Sequence, residues 1–266
     1  MNAGVVNEVV DILGQKVPVE RFVEADVGME FPKMELTEKL FADPVGMKKE
    51  TGEVWPEEFI FPPEAFRRQD ESDDADFYSM PRLCYHIDEG AVRALTNYYK
   101  ENIKPGSAVL DICSSWVSHY PTDFPDTMSR ISGTGMNALE LEQNAQLNDF
   151  EPKNLNVDPT LPYADASFDA VTCVVSVDYL NKPLDVFKEV CRVLKPGGKF
   201  ILSQSNRCFP SKAIAMWLGQ SDMQHCQVIG AYFHYAGGFA PARAFDVSPT
   251  GPRTNDPLFI VEGTKL

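Results

Sequence analysis

The chain has 266 residues, 39 acidic and 24 basic side chains, and a formal net charge of −15. Hydrophobic residues make up 44% and aromatics 11%, which allows a sizeable core and excludes a disordered tail. Residues 1–80 hold 19 acids and 8 bases, net −11, whereas residues 81–266 hold 20 and 16, net −4; neither part offers the clustered Lys and Arg that a nucleic-acid partner needs.

In chain order, residues 5–13 (VVNEVVDIL) place apolar and acidic residues loosely at helical spacing. Residues 44–64, rich in Pro, Gly and Glu, read as irregular chain, and Asp70–Asp76 reads as a solvated charged loop. An ordered domain is expected from Phe77 to the C-terminus, preceded by an acidic extension, residues 1–76, whose role is open. Residues 88–103 predict a helix with Asp88 as N-cap and Lys104-Pro105-Gly106 as its stop. Ser107–Ile112 predicts a short buried strand, 138–148 a helix, and 168–175 a β-branched strand. Residues 183–195 begin with Pro in the first turn and stop at Pro196-Gly197-Gly198, a helix. A strand is predicted at 199–203, a further helix starting at 211–218, and late strands at 242–247 and 257–263. Strand–helix alternation with apolar central strands implies a doubly wound, mostly parallel α/β sheet. In such a sheet, ligands bind beyond the carboxyl ends of the strands.

No apolar run approaches the ~18 residues of a membrane span. Met1–Gln15 carries acids and no base, unlike a signal or transit peptide, although a chain whose leader had been removed would look the same. The six cysteines form no CxxC pair, and Cys84, Cys113, Cys173 and Cys191 lie in or beside apolar patterns. Buried free thiols in a reducing compartment are expected, and no metal site. The expected location is therefore the cytoplasm, or an organelle matrix or stroma after leader removal.

Four segments carry chemistry. The strand AVLD ends in Asp111 and continues ICSSWVSHYP. An acid there suits a ligand amino group or caps the next turn. Ile131–Asn137 (ISGTGMN) sets two glycines at a strand end, which suits close approach of a ligand or an ordinary tight turn. The third and fourth are Leu161-Pro-Tyr-Ala-Asp-Ala-Ser-Phe-Asp-Ala-Val171 and Glu189-Val-Cys-Arg-Val-Leu-Lys-Pro-Gly-Gly-Lys-Phe200.

In their order and spacing these segments resemble the class I S-adenosylmethionine-dependent methyltransferases, in particular the small-molecule, type 11-like branch. The resemblance covers about residues 105–263. It implies a Rossmann-like, seven-stranded sheet with helices on both faces and an antiparallel last strand. It implies S-adenosyl-L-methionine as cofactor and a small-molecule acceptor. The residues it places around the cofactor are Asp111, Cys113, Ser114, Ser115, Gly133, Gly135, Met136, Asn137, Asn154, Leu155 and Ser176. In related enzymes an N-terminal helical element covers the cofactor; carried over to about 77–103, it implies that Tyr78, Tyr85 and His86 line a lid.

The chain departs from the family in two places. The family's first motif, D-x-G-x-G-x-G, reads Asp111-Ile-Cys-Ser-Ser-Trp-Val117 here, without a glycine. The acid that takes the ribose hydroxyls is replaced by Gly135, leaving Asn137 or Glu140 to substitute. For adenine, Asn154, Asn156 and Asp158 are candidates, with Asn154 and the Leu155 backbone preferred.

Methyl transfer is an in-line displacement and needs a base only where the nucleophile loses a proton. His119 and His86 are the candidates, each also readable as a structural hydrogen-bonder. Asn206-Arg207 suits an anionic or carbonyl substrate or a surface charge. Two functions follow: methyl transfer to a small molecule, or a methyltransferase fold retained for binding or scaffolding without turnover. A dehydrogenase is disfavoured by the lack of a G-x-G-x-x-G turn. The acidic extension leaves room for a protein partner.

Overall fold

The computed structural model describes residues 5–12, 14–22, 28–43 and 55–266. The irregular reading of 44–54 lies outside the described residues. The first elements are β1 (Val5–Ile12) and β2 (Gln15–Phe22), an antiparallel hairpin. Gly14, at φ +81°, turns the chain and donates its N–H to Asp11 Oδ1 at 2.8 Å. The helical spacing read over 5–13 therefore does not give a helix over the described residues 5–12. Valines dominate the segment, and β-branched side chains favour an extended backbone that a partner strand can pair. Val17 and Val19 of β2 pack on Leu83 and Trp116.

The next elements are β3 (Met34–Glu35), α1 (Thr37–Phe41), α2 (Asp74–Phe77) and α3 (Glu89–Asn102). As the sequence predicts, Asp88 caps α3 by accepting the Ala91 N–H at 2.9 Å. The α/β alternation follows as β4 (Ala108–Ile112), α4 (Phe124–Thr127), β5 (Arg130–Gly135), α5 (Ala138–Glu142), β6 (Asp149–Pro152) and β7 (Phe168–Val174). It ends with α6 (Pro183–Val193), β8 (Leu194–Gln204), α7 (Asp222–Ala236), β9 (Arg243–Asp246) and β10 (Phe259–Thr264).

The main sheet has eight strands in the order β3-β9-β10-β8-β7-β4-β5-β6. Strands β8, β7, β4, β5 and β6 run parallel, and β10 is antiparallel to β8 and β9. Seven of the strands match the expected sheet, its last strand reversed. The eighth, β3, is added at the edge, antiparallel to β9, by residues before 77. Those residues also enter the core. Leu36 and Leu40 are buried in the cluster under α6 and α7, and Phe59, Phe61 and Phe66 pack against it. A second cluster on the opposite face joins α3 to the sheet through Leu95, Tyr98, Tyr99, Val109, Ile131 and Ile201.

Two predicted helices are altered. Residues 211–218 form turns, because their backbone donors are taken elsewhere. Ile214, Ala215 and Met216 donate to the carbonyls of Asp178, Arg67 and Ala65. The helix instead begins at Asp222, behind a Ser221–Gln224 capping box. The helix predicted over 138–148 stops at Glu142. Beyond it the Asn144 side chain donates to the Ser115 carbonyl and to Ser118 Oγ, at 3.0 and 2.9 Å, holding the turn to the loop after β4.

The segment Asp70–Asp76 is solvated along most of its length, but Asp74 is buried and the backbone is anchored from below. The fully buried Lys212 ammonium donates to the Ser72 carbonyl at 2.8 Å and pairs with Asp70 and Asp74 at 3.2 and 3.4 Å. Arg68 pairs with Asp74 at 2.6 Å, and Asn156 Nδ2 donates to the same carboxylate at 3.0 Å. The cluster fastens this strap to the loop after β6. Buried charges are stable only when paired in this way.

Of the four cysteines expected to be buried, only Cys173 is; Cys84, Cys113 and Cys191 are partly exposed, and Cys226 is buried instead. All six are free thiols.

Candidate active site

The carboxyl ends of β4, β5 and β7 open into a cavity of about 360 Å³. Its size is that of a small-molecule or cofactor site. The loops after these strands form its floor, and the strap and lid from Arg68 to Ile87 form its other wall.

Asp111 stands at the end of β4, wholly buried. Its Oδ2 accepts the Ser114 hydroxyl at 2.6 Å and its Oδ1 the Thr172 hydroxyl at 3.0 Å. Thr172 is also in contact with the Tyr120 hydroxyl at 2.6 Å. Burial pushes the Asp111 carboxyl up to about 6, against the opposing pull of Ser114, Ser118 and Thr172. Asp111 thus shapes the loop and lines the cavity together.

The loop after β4 enters the left-handed backbone region without a glycine. Cys113, where the first glycine of the motif falls, has φ +54°, and His119 has φ +60°. L-residues rarely adopt this conformation, and such strain collects at binding sites. Ser114 donates its N–H to the Thr134 carbonyl at 2.8 Å, laying the loop across β5. A Cβ on Gly135 would stand 2.0 Å from the Ser114 carbonyl oxygen. The two departures from the family are therefore one. The Ser114 carbonyl occupies the space a side chain at 135 would need, so no acid fits there.

Glu140 is a second buried acid that lines the cavity. It accepts the Arg82 N–H at 2.7 Å and the Ser115 hydroxyl at 2.6 Å. Burial raises its carboxyl above the usual range. Asn137 is committed elsewhere. Its oxygen caps α5 on Leu139 and Glu140, and its amide donates to the Tyr78 carbonyl at 2.8 Å, tying the lid down.

Asn154, Leu155 and Ser176 line the cavity; Asn154 Oδ1 accepts the Asn156 N–H and Ser176 donates to the Val174 carbonyl. Asn156 lines it too, yet its side chain is taken by Asp74, Tyr179 and Asn181. Asp158 is occupied by Lys153 and Thr160 and is absent from the lining. Met136 and Cys113 line the cavity; Gly133 does not, and a Cβ there would meet Leu147, so this glycine serves packing.

Both histidines reach the cavity. His119 is buried, and its Nδ1 has no hydrogen-bond partner. Burial, with a smaller contribution from His86, brings it down to about 4, so its ring is neutral at physiological pH. Its ring lies 5.8 Å from that of Tyr85. His86 is exposed along the cavity and packs edge-on against Phe209 at 5.5 Å. Enclosing protein atoms, then Arg82, lower its pKa.

Sequence reasoning passed over Asp178, just after Ser176. It is buried, its Oδ2 is unbonded, and desolvation pushes its carboxyl up to about 8. It is neutral in the fold at pH 7 and ionised in the unfolded chain. Its contribution to stability therefore falls as pH rises from about 4 to about 8. Asp178→Asn is expected to melt higher than the parent at pH 7, with the gain vanishing toward pH 4, as read by thermal denaturation across that range.

The class these features define is a doubly wound α/β domain with a cofactor-sized cavity at the switch of strand order. Residues 113–202 match a family described as "Methyltransferase domain". Among curated proteins, a demethylmenaquinone methyltransferase of Bacillus mycoides is 30% identical over 120 residues, 40% of this chain and 48% of that protein. A sterol methyltransferase-like protein of Botryococcus braunii is 32% identical over 108 residues, 38% of this chain and 27% of that protein. The chain thus spans about half the length of the first relative and about a quarter of the second. A solved methyltransferase structure from Aquifex aeolicus aligns with 78% of this chain and all of its own, at 15% identity and a TM-score of 0.47.

Proposed function

We propose that the protein transfers a methyl group from S-adenosyl-L-methionine to a small-molecule acceptor. The observation that carries this reading is the cavity itself. It lies where β4, β5 and β7 end, and its wall combines the carboxylates of Asp111 and Glu140 with the aromatic faces of Tyr78, Tyr85 and Trp116. This set suits a ligand bearing hydroxyls, an amine and a sulfonium, because carboxylates and aromatic faces both attract cations.

When bound, the cofactor supplies an electrophilic methyl carbon. Glu140 and Ser115 would take the ribose hydroxyls, and Asn154 with the Leu155 backbone would take the adenine. Asp111 holds Ser114, so the loop amides and hydroxyls keep one orientation toward the methionine end. The lid, pinned through Asn137 and Glu140, excludes water and holds the acceptor in line. His86 and His119, both neutral at pH 7, are the groups able to take the proton of an acceptor O–H or N–H as the new bond forms.

The ionised form of Asp111 is the one that attracts a cation. Affinity for the cofactor is therefore expected to be full above about pH 6 and to fall as pH drops through that value, measured by calorimetric titration from pH 5 to 8.

The 2.0 Å approach of Ser114 to the Gly135 Cβ position favours a second reading, in which the fold binds a ligand or scaffolds without turnover. Incubation with methyl-labelled S-adenosylmethionine and a panel of phenol, amine, quinol and sterol acceptors separates the two. Label in an acceptor, with matching S-adenosylhomocysteine, supports transfer. Binding without label across the panel supports the second reading.

A further inference from the structure

The cavity wall contains four cations, and three of them are neutralised. Arg68 pairs with Asp74 at 2.6 Å, Lys153 with Asp158 at 2.5 Å and Arg207 with Asp256 at 2.8 Å. Arg82 is different. Among the described residues, no carboxylate lies within ion-pair distance of its guanidinium. Glu140 takes its backbone N–H and not its side chain. The Arg82 Nη2 donates to the Phe77 carbonyl at 3.0 Å, and Nη1 is buried and hydrogen-bonds nothing. The guanidinium is caged by rings, its carbon 4.6 Å from the centre of Phe77, 5.5 Å from Phe209 and 5.9 Å from Tyr78.

The half-buried Arg82 guanidinium is a delocalised cation with a planar fork of donors. Aromatic faces hold such a charge in place, but they do not satisfy its directed N–H groups. Leaving a desolvated charge and donor unpaired is costly, and a planar anion is the group that relieves both. The chain as a whole is acidic, so a local cation favours an anionic ligand at this place in the cavity.

We propose that Arg82 is the carboxylate-binding residue of this cavity. The inference rests on the reading of the cavity as the ligand site. Two carboxylates meet the chemistry, that of the cofactor's methionine end and one carried by the acceptor. The planar fork of Arg matches either in bidentate fashion.

Two matched pairs of probes, titrated by calorimetry, test the proposal and separate the sources. One pair is S-adenosylmethionine and its decarboxylated form; the other is 4-hydroxybenzoate and 4-hydroxybenzamide. The parent protein is expected to prefer the carboxylate member of at least one pair by 10-fold or more. Arg82→Gln is expected to lose that preference, and Arg82→Lys to keep part of it, with thermal melting confirming that both variants fold. A preference in the adenosyl pair assigns the cofactor's carboxylate; one in the benzoate pair assigns the acceptor's. No preference in either pair, or one that survives in Arg82→Gln, overturns the proposal. If the parent binds neither adenosyl compound, the methyl-transfer reading fails, while the benzoate pair still decides the role of Arg82.

Discussion

Replacing Asp111 by alanine is expected to weaken cofactor binding by at least ~100-fold. The carboxylate accepts two buried hydroxyls, Ser114 at 2.6 Å and Thr172 at 3.0 Å, and through Thr172 it reaches Tyr120. Each buried hydroxyl left unsatisfied costs about 1–3 kcal/mol. If the loop moves to relieve them, Ser114 and Ser115 leave the positions from which they face the ligand. Two such losses of about 1.4 kcal/mol each amount to roughly 100-fold in affinity. Asp111→Asn keeps the shape and one acceptor, and is expected to fall between parent and alanine variant. Calorimetry with S-adenosylmethionine reads both variants. Unchanged affinity in Asp111→Ala would refute the placement of the methionine end against this loop.

The second large effect is expected at Gly135. An alanine there sets its methyl carbon 2.0 Å from the Ser114 carbonyl oxygen and 3.0 Å from the carbonyl carbon. These are backbone atoms, and the Ser114 N–H is held on the Thr134 carbonyl at 2.8 Å, so no flexible side-chain end is free to yield. Overpacking of this kind costs about 1–3 kcal/mol and occasionally more. In a chain of this size, each kcal/mol corresponds to a fall in melting temperature of about 2–4 °C. Gly135→Ala is therefore expected to melt several degrees lower and to lose affinity for the cofactor, because the loop it displaces carries Cys113, Ser114 and Ser115. Gly135→Asp, which restores the family's acid, is expected to be worse than alanine. A variant with aspartate at 135 that bound more tightly would show that the loop lies elsewhere when the ligand is present.

Of the four segments that carry the resemblance, Leu161–Val171 and Glu189–Phe200 do not line the cavity. Arg192 is the clearest case. It pairs with Glu189 and Asp165 and donates to the carbonyls of Leu161 and Tyr163, clamping α6 to the turn before β7. Glu189 in turn accepts the Leu161 N–H at 2.9 Å, and Lys195 pairs with Asp169 at 2.8 Å. These residues are near neighbours in the chain or lie on paired strands, so their spacing is visible in one dimension. The expectation of a sheet with a reversed last strand comes with the resemblance these segments carry, and β10 is antiparallel to β8.

What was not legible depends on contacts between distant segments. The strap from Arg68 to Asp76 reads as a solvated acidic loop, and its anchoring shows only once Lys212, far along the chain, is placed beneath it. The stretch 211–218 has helical composition, but its donors are claimed by residues 65–67 and 178. The hairpin at 5–22 has a period that fits two structures, and strand pairing decides between them. Gly135 reads as a lost function in the sequence and as a steric requirement in the fold. Arg82 carried no signal at all, because a lone arginine is informative only once its neighbours are known to include no acid.

Calorimetric titration of the full chain with S-adenosylmethionine and with S-adenosylhomocysteine at pH 7.5 tests the central claim most directly. The account predicts saturable, one-to-one binding of both compounds that is lost in Asp111→Ala. Absence of binding at millimolar concentrations of either compound, in a protein that melts cooperatively, would contradict it.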